Sequence, residues 1–189
     1  VGGRVLAGRC PEPAPSFLYR NKGGVLELDA ANSQLLQEAG LVSGAVFSDL
    51  DGDGLPELIL ACEWGPVRVF KNQGGKFHEI TESFGLTKYV GWWNSVAAGD
   101  VDGDGRLDLI AGNWGLNSSC YQPTSQKPAW LYYGDFDNNS SIDLVEAEFD
   151  AASGKIVPRR DLLYMLKGLP TLRAAFATHA AYSLADVPA

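Results

Sequence analysis

Short apolar runs, partly β-branched and four to six residues long, recur along the chain and stop at turns rich in glycine and acid. Ala45-Val46-Phe47-Ser48 leads through such a turn into Leu58-Ile59-Leu60-Ala61. Val96-Ala97-Ala98-Gly99 leads through a second into Leu109-Ile110-Ala111-Gly112. Runs of this length and composition, bounded by breakers, predict buried strands rather than helices. Residues 67–71 predict a third strand in the first series. Lys76-Phe77-His78-Glu79-Ile80-Thr81 alternates as a half-exposed edge strand does. Between them, Asn72-Gln73-Gly74-Gly75 has the residues that accept the positive φ angles of a tight hairpin.

The pattern repeats. Asp49 and Asp100 are 51 residues apart, and so are Asn21 and Asn72, the latter pair in Asn21-Lys22-Gly23-Gly24 and Asn72-Gln73-Gly74-Gly75. Two independent features at one spacing predict a repeat of four strands, the size of a β-propeller blade. The expected fold is therefore all-β: a partial β-propeller of four-stranded blades over residues 1–150, followed by a helical cap or insertion over 151–189. The end of one blade lies at 1–30, with Val5-Leu6-Ala7-Gly8 as a strand. One blade spans 43–82 and another 94–150. Residues 32–40 predict a linking helix capped by Asn32 or Ser33 and ended by Gly40. Residues 116–128 are polar and breaker-rich, as an inserted loop would be. Helical spacing returns at 160–168 and 171–182. The chain opens Val1-Gly2-Gly3 and is expected to be a piece of a longer protein, the remaining blades lying elsewhere in the parent chain.

The turns carry the chemistry. Asp49, Asp51, Asp53 and Glu57 occupy positions 1, 3, 5 and 9 of one nine-residue loop, and Asp100, Asp102, Asp104 and Asp108 occupy the same positions of another. Glycine stands at position 6 in both, as Gly54 and Gly105. Carboxylates this close repel unless a cation lies among them, and a hard cation taking six to eight oxygens is calcium. The carbonyls of Leu55 and Arg106 at position 7 are further candidate ligands. An EF-hand would share positions 1, 3, 5 and 6 but needs a glutamate at position 12, where these loops have Leu60 and Ala111, and it would lie between helices. A third turn, Asp135-Phe136-Asp137-Asn138-Asn139-Ser140-Ser141-Ile142-Asp143, falls where the third and fourth strands of the last blade should meet. Its candidate ligands are Asp135, Asp137, Asn139, Ser141 and Asp143. An Asx-rich turn without an ion accounts for its composition equally well.

The net charge of -8 follows largely from these loops, and two calcium ions would cancel half of it. With no Lys/Arg cluster, nucleic acid is not an expected partner. No apolar run is long enough for membrane insertion of this segment. Cys10, Cys62 and Cys120 form no metal-binding spacing, and buried free thiols are the simplest reading. Calcium sites of modest affinity suit the outside of a cell, where calcium is plentiful.

The paired loops, the Leu-Ile that follows each and the Asn-x-Gly-Gly hairpin resemble the FG-GAP/VCBS repeats of integrin-α-type β-propellers. The order EWGPVRVFKNQGG, NWGLNSS, DFDNN and RRDLLYMLKGLPTL is similar to bacterial secreted VCBS proteins related to cartilage acidic protein. The resemblance implies that the acids at positions 1, 3, 5 and 9 are the calcium ligands, with Glu57 departing from the usual aspartate. It also implies a secreted, cell-surface or periplasmic location and no single activity. A non-enzymatic module binding an extracellular protein or glycan is the expected function. Trp64, Trp92, Trp93, Trp114 and Trp130 are candidate contacts, with packing the simpler role for Trp64 and Trp114. The alternative is the propeller domain of a secreted polysaccharide-degrading enzyme. Against it, the chain has neither a GxSxG nor an HExxH motif, and its two histidines, His78 and His179, read as surface and packing residues.

Overall fold

The computed structural model describes residues 1–115 and 123–187. The chain divides into two compact units, Val1–Ser118 and Ser119–Ala189. Both are built mainly of antiparallel strands with a few short helices, in keeping with the all-β class. No closed propeller is seen among the described residues.

In the first unit, β1 (Tyr19–Lys22) and β2 (Val25–Leu28) form a hairpin. Gly23 and Gly24 take φ of 61° and 92°, and the Asn21 side chain accepts a 2.8 Å hydrogen bond from the Gly24 N–H. This is the turn expected of Asn-x-Gly-Gly, and it recurs in the next repeat. The expected strand at Val5–Gly8 does not form. Gly8 has φ 74°, the Arg9 N–H bonds the Leu6 carbonyl at 3.0 Å, and Arg9 pairs with Glu12, so this segment closes on itself as a turn.

Helix α1 (Ala30–Leu35) starts and ends earlier than its composition suggests. Its cap is Asp29, whose carboxylate accepts from the Asn32 N–H. The residues that looked like caps are used elsewhere. Asn32 donates to Asp29 and to the Gly75 carbonyl and accepts from the Phe77 N–H. Ser33 accepts from the Leu18 N–H. Both are buried and tie the helix to the two hairpins that flank it. Gly40, with φ 96°, leads the chain into the sheet.

Strands β3 (Leu41–Ser48), β4 (Glu57–Gly65), β5 (Arg68–Gln73) and β6 (Lys76–Glu79) make a four-stranded antiparallel meander. The β5–β6 turn repeats the β1–β2 chemistry, with the Gly75 N–H donated to Asn72 at 2.8 Å. β4 is buried along nearly its whole length because its two faces serve two cores. Leu58, Leu60 and Cys62 pack with Leu36, Ala39, Val42 and Phe70. Ile59 packs on the opposite face with Val67, Val69, Val96 and Leu109. Strand alternation thus makes the sheet a middle layer. The second core comes partly from β7 (Gly91–Gly99) and β8 (Asp108–Asn113), which pair with each other. β7 also joins β4 at Glu63–Trp92 and Gly65–Gly91. The first strands of the two repeats touch closely: a Cβ at Gly44 would lie 3.2 Å from the Ser95 Cα, so a larger residue there would need the neighbouring backbone to shift by a few tenths of an ångström.

The second unit contains a separate antiparallel meander of β9 (Ala129–Gly134), β10 (Asp143–Asp150) and β11 (Lys155–Pro158). β11 lies where the helical region was expected to begin. Three one-turn helices follow: α2 (Leu162–Met165), α3 (Leu172–Ala175) and α4 (His179–Ser183). The helix expected over 171–182 breaks at Phe176, whose backbone is extended. Leu162, Met165, Leu169 and Tyr182 form its core with Val145 and Phe176 packed against them. Residues 116–122 of the expected insertion, with Cys120, lie outside the described residues. No helix of the described residues is long and apolar enough to cross a membrane.

Candidate metal centres

Three hairpin loops share one construction. Each joins antiparallel strands whose last ladder pair is Ser48–Glu57, Gly99–Asp108 or Gly134–Asp143. Position 9 is therefore the first residue of the outgoing strand, and pairing fixes its carboxylate at the mouth of the loop. That carboxylate accepts from the position-2 N–H in every case: Leu50 to Glu57 at 2.9 Å, Val101 to Asp108 at 3.0 Å and Phe136 to Asp143 at 3.0 Å. The position-1 aspartate accepts from the position-6 N–H: Gly54 to Asp49, Gly105 to Asp100 and Ser140 to Asp135, at 2.9, 3.0 and 2.9 Å. The position-5 side chain accepts from the position-7 N–H: Leu55 to Asp53, Arg106 to Asp104 and Ser141 to Asn139, at 2.8, 2.8 and 2.7 Å.

Backbone torsions agree with the bonding. Positions 4 and 6 have positive φ in all three loops: Gly52 and Gly54 at 76° and 83°, Gly103 and Gly105 at 77° and 83°, Asn138 and Ser140 at 60° and 67°. The third loop reaches the same bend without glycine, which costs about 1–2 kcal/mol at Ser140 and less at Asn138, since asparagine tolerates this region.

The fold draws the acids together. Asp49, Asp51 and Asp53 offer oxygens within 4.8 Å of one another, as do Asp100, Asp102 and Asp108, and Asp135, Asp137 and Asp143. Asp104 lies outside the tight set of its loop, with one oxygen turned to the Arg106 N–H. Glu57 is 1% exposed and its Oε1 has no aligned hydrogen-bond donor. In the third loop the buried Asp137 Oδ1 likewise has none. An all-oxygen donor set, with the buried Asp137 Oδ1 left without a donor, fits a hard divalent cation.

The first loop has one participant that sequence spacing did not disclose. Lys71, on β5, places its Nζ 2.6 Å from Asp51, 2.5 Å from Asp53 and 3.2 Å from Glu57 Oε1. These bonds raise the lysine pKa, and the ammonium, with the Leu55 N–H, holds Asp53 below its ordinary value. The register could have found it: Lys71 is one residue beyond the Leu58–Phe70 pair, beside Glu57 across the ladder.

The tryptophans divide between two roles. Trp64, Trp92 and Trp114 form a cluster, with ring centroids 5.9 and 5.0 Å apart. Trp93 packs in the β4–β7 core and donates to the Tyr89 carbonyl. Trp114 keeps 47% of its surface exposed. Trp64 has a positive φ of 55°, a costly backbone state for a bulky residue. Cys62 is buried, its thiol pushed up to about 11 by desolvation, while Cys10 is exposed.

Residues 49–111 match the family model of the FG-GAP-like repeat. The match begins at the first acid of the first loop and ends in β8, so it takes in both glycine-containing loops and the strands between them. It supports the FG-GAP family for this segment. No curated protein and no solved structure gives a significant match to the chain.

Proposed function

We propose that the chain is part of an extracellular, calcium-stiffened β-propeller that recognises a protein or glycan and is not itself an enzyme. One observation carries this reading: three loops, different in composition, share the same bonding frame and bring carboxylates to a common centre. In the first two loops the ligands would be Asp49, Asp51, Asp53 and Glu57, and Asp100, Asp102, Asp104 and Asp108. In the third they would be Asp135, Asp137, Asn139, Ser141 and Asp143. When bound, the ion neutralises the acids and stiffens the turn between two strands. The meander of β3–β6 would be one blade, and the parent protein would be a secreted relative of cartilage acidic protein.

Recognition would fall on the loop ends of the sheets. Trp114, in edge contact with Trp92, which in turn meets Trp64, offers an amphipathic surface suited to a sugar face or a protein anchor. Absence of enzymatic activity is favoured by the commitment of the clustered carboxylates to metal. His179 is favoured as structural because its Nδ1 accepts from the Leu162 N–H at the start of α2.

The test is thermal unfolding with chelator and with excess calcium. An ion bound only by the folded state raises Tm. Chelation is expected to lower Tm, and Asp102→Ala to remove much of the shift. A melt indifferent to chelator contradicts the calcium reading. Release of oligosaccharides from uronic-acid polymers, assayed beside glycan-array binding, would contradict the non-enzymatic one.

A further inference from the structure

We infer that Lys71 is a tethered cation that fills the first acidic loop in place of a metal ion, so that calcium enters this loop only by displacing it. The inference rests on the calcium reading above and concerns how one of the three loops differs from the others.

The three loops have the same frame but different cation supply. In the second loop, Asp100, Asp102, Asp104 and Asp108 accept hydrogen bonds from backbone N–H groups of the loop itself. The third is built the same way. Among the described residues, a cationic side chain is paired with acids of the first loop and of neither other. That cation is well placed. The Lys71 side chain is 15% exposed, and its stem runs along a strand whose position is fixed by pairing on both edges. Its ammonium offers three donors to Asp51, Asp53 and Glu57, three residues that would be metal ligands. Glu57 needs such a partner most, because its carboxylate is out of water and its Oε1 faces the ammonium with no other donor aligned on it.

A divalent ion and an ammonium within about 3 Å of the same carboxylates repel strongly in a partly desolvated site, so both do not occupy it at once. The lysine is held at high effective concentration by the strand. Calcium therefore competes with an intramolecular ligand at the first loop and with none at the second. Two consequences follow. Without metal the first loop has one positive charge set against its four acids, while the four acids of the second have no paired cation among the described residues. With metal the first loop binds more weakly than the second.

The test compares wild type and Lys71→Met by calcium calorimetry, and by melting in chelator and in saturating calcium. Lys71→Met is expected to tighten one class of site, that of the first loop, at least tenfold. It is also expected to melt below wild type in chelator but level with it or above it in calcium. A merely structural ion pair would lower Tm equally in both. Should the variant not fold, acetylation of wild-type lysines read by peptide mass spectrometry decides the matter: Lys71 labelling should rise when calcium is added. Coincident isotherms, or labelling unchanged by calcium, overturn the inference while leaving the calcium reading intact. No calcium uptake by wild type at all removes both.

Discussion

At the scale of single residues, the loops separate what a turn needs from what an ion needs. The bend depends on two positive-φ positions, and the first two loops meet this with glycine. The third meets it with Asn138 and Ser140. Serine has no special tolerance for this region, whereas asparagine has some. Ser140→Gly is therefore expected to stabilise the second unit. Part of the relieved strain is offset by the greater freedom of glycine in the unfolded chain, leaving a gain of about 0.5–1 kcal/mol. Urea unfolding followed by a probe in that unit would register the change, and a loss of stability would show that the serine hydroxyl matters more than its backbone. The acids of all three loops were legible in the sequence because they follow one another at fixed spacing within a single turn. Lys71 was not, because it arrives from another strand, and its approach to Asp51 and Asp53 depends on ladder register rather than on local pattern.

At the scale of elements, strands were legible where both sides of a hairpin carried a clear apolar pattern. β3 through β8 fall close to their apolar runs because each run has a partner and a face to bury. Val5–Gly8 carries the same local pattern as Leu109–Gly112 yet forms a turn, since no strand pairs with it among the described residues. β11 shows the reverse: Lys155-Ile156-Val157-Pro158 is short and weakly patterned, but pairing with β10 makes it a strand. The short helices were displaced for a similar reason. Asn32 and Ser33 read as caps, but tertiary hydrogen bonds claim them and Asp29 caps instead. Asp29→Ala should cost about 1 kcal/mol, the usual value of such a cap, with Asp29→Asn recovering part of it. Bonds from Asn32, and then Arg20, hold the Asp29 carboxyl below its ordinary pKa. Its stabilisation is thus present above the ordinary carboxylate pKa and is lost as pH falls through the lowered folded value. Denaturation curves at neutral and strongly acidic pH should show the Asp29→Ala deficit shrinking at low pH. A deficit independent of pH would mean that the charge of Asp29 is irrelevant to its role.

At the scale of the whole molecule, charge and architecture are one problem. The first two loops carry four acids each and the third carries three, eleven of the 23 in the chain, and the net charge is -8. Folding concentrates these acids at hairpin mouths, whereas the unfolded chain spreads them out, so the metal-free folded state bears a repulsion that the unfolded state largely escapes. Lys71 relieves it at one loop. The other two have backbone dipoles alone among the described residues. Monovalent salt screens exposed charges over about 10 Å at 0.1 M, a length comparable to a single loop. In chelator, then, Tm should climb as sodium chloride is raised from about 10 mM to about 300 mM, by several degrees if two unneutralised loops dominate. In saturating calcium the slope should nearly vanish, because the ions have already removed the repulsion that salt would screen. The Lys71 pairs act in the opposite sense, since salt weakens attraction as well. Lys71→Met should therefore steepen the rise in chelator and leave the calcium series flat. A Tm that ignores salt in chelator would mean that the clustered acids are already compensated without an ion, so that repulsion would give the loops no need of calcium.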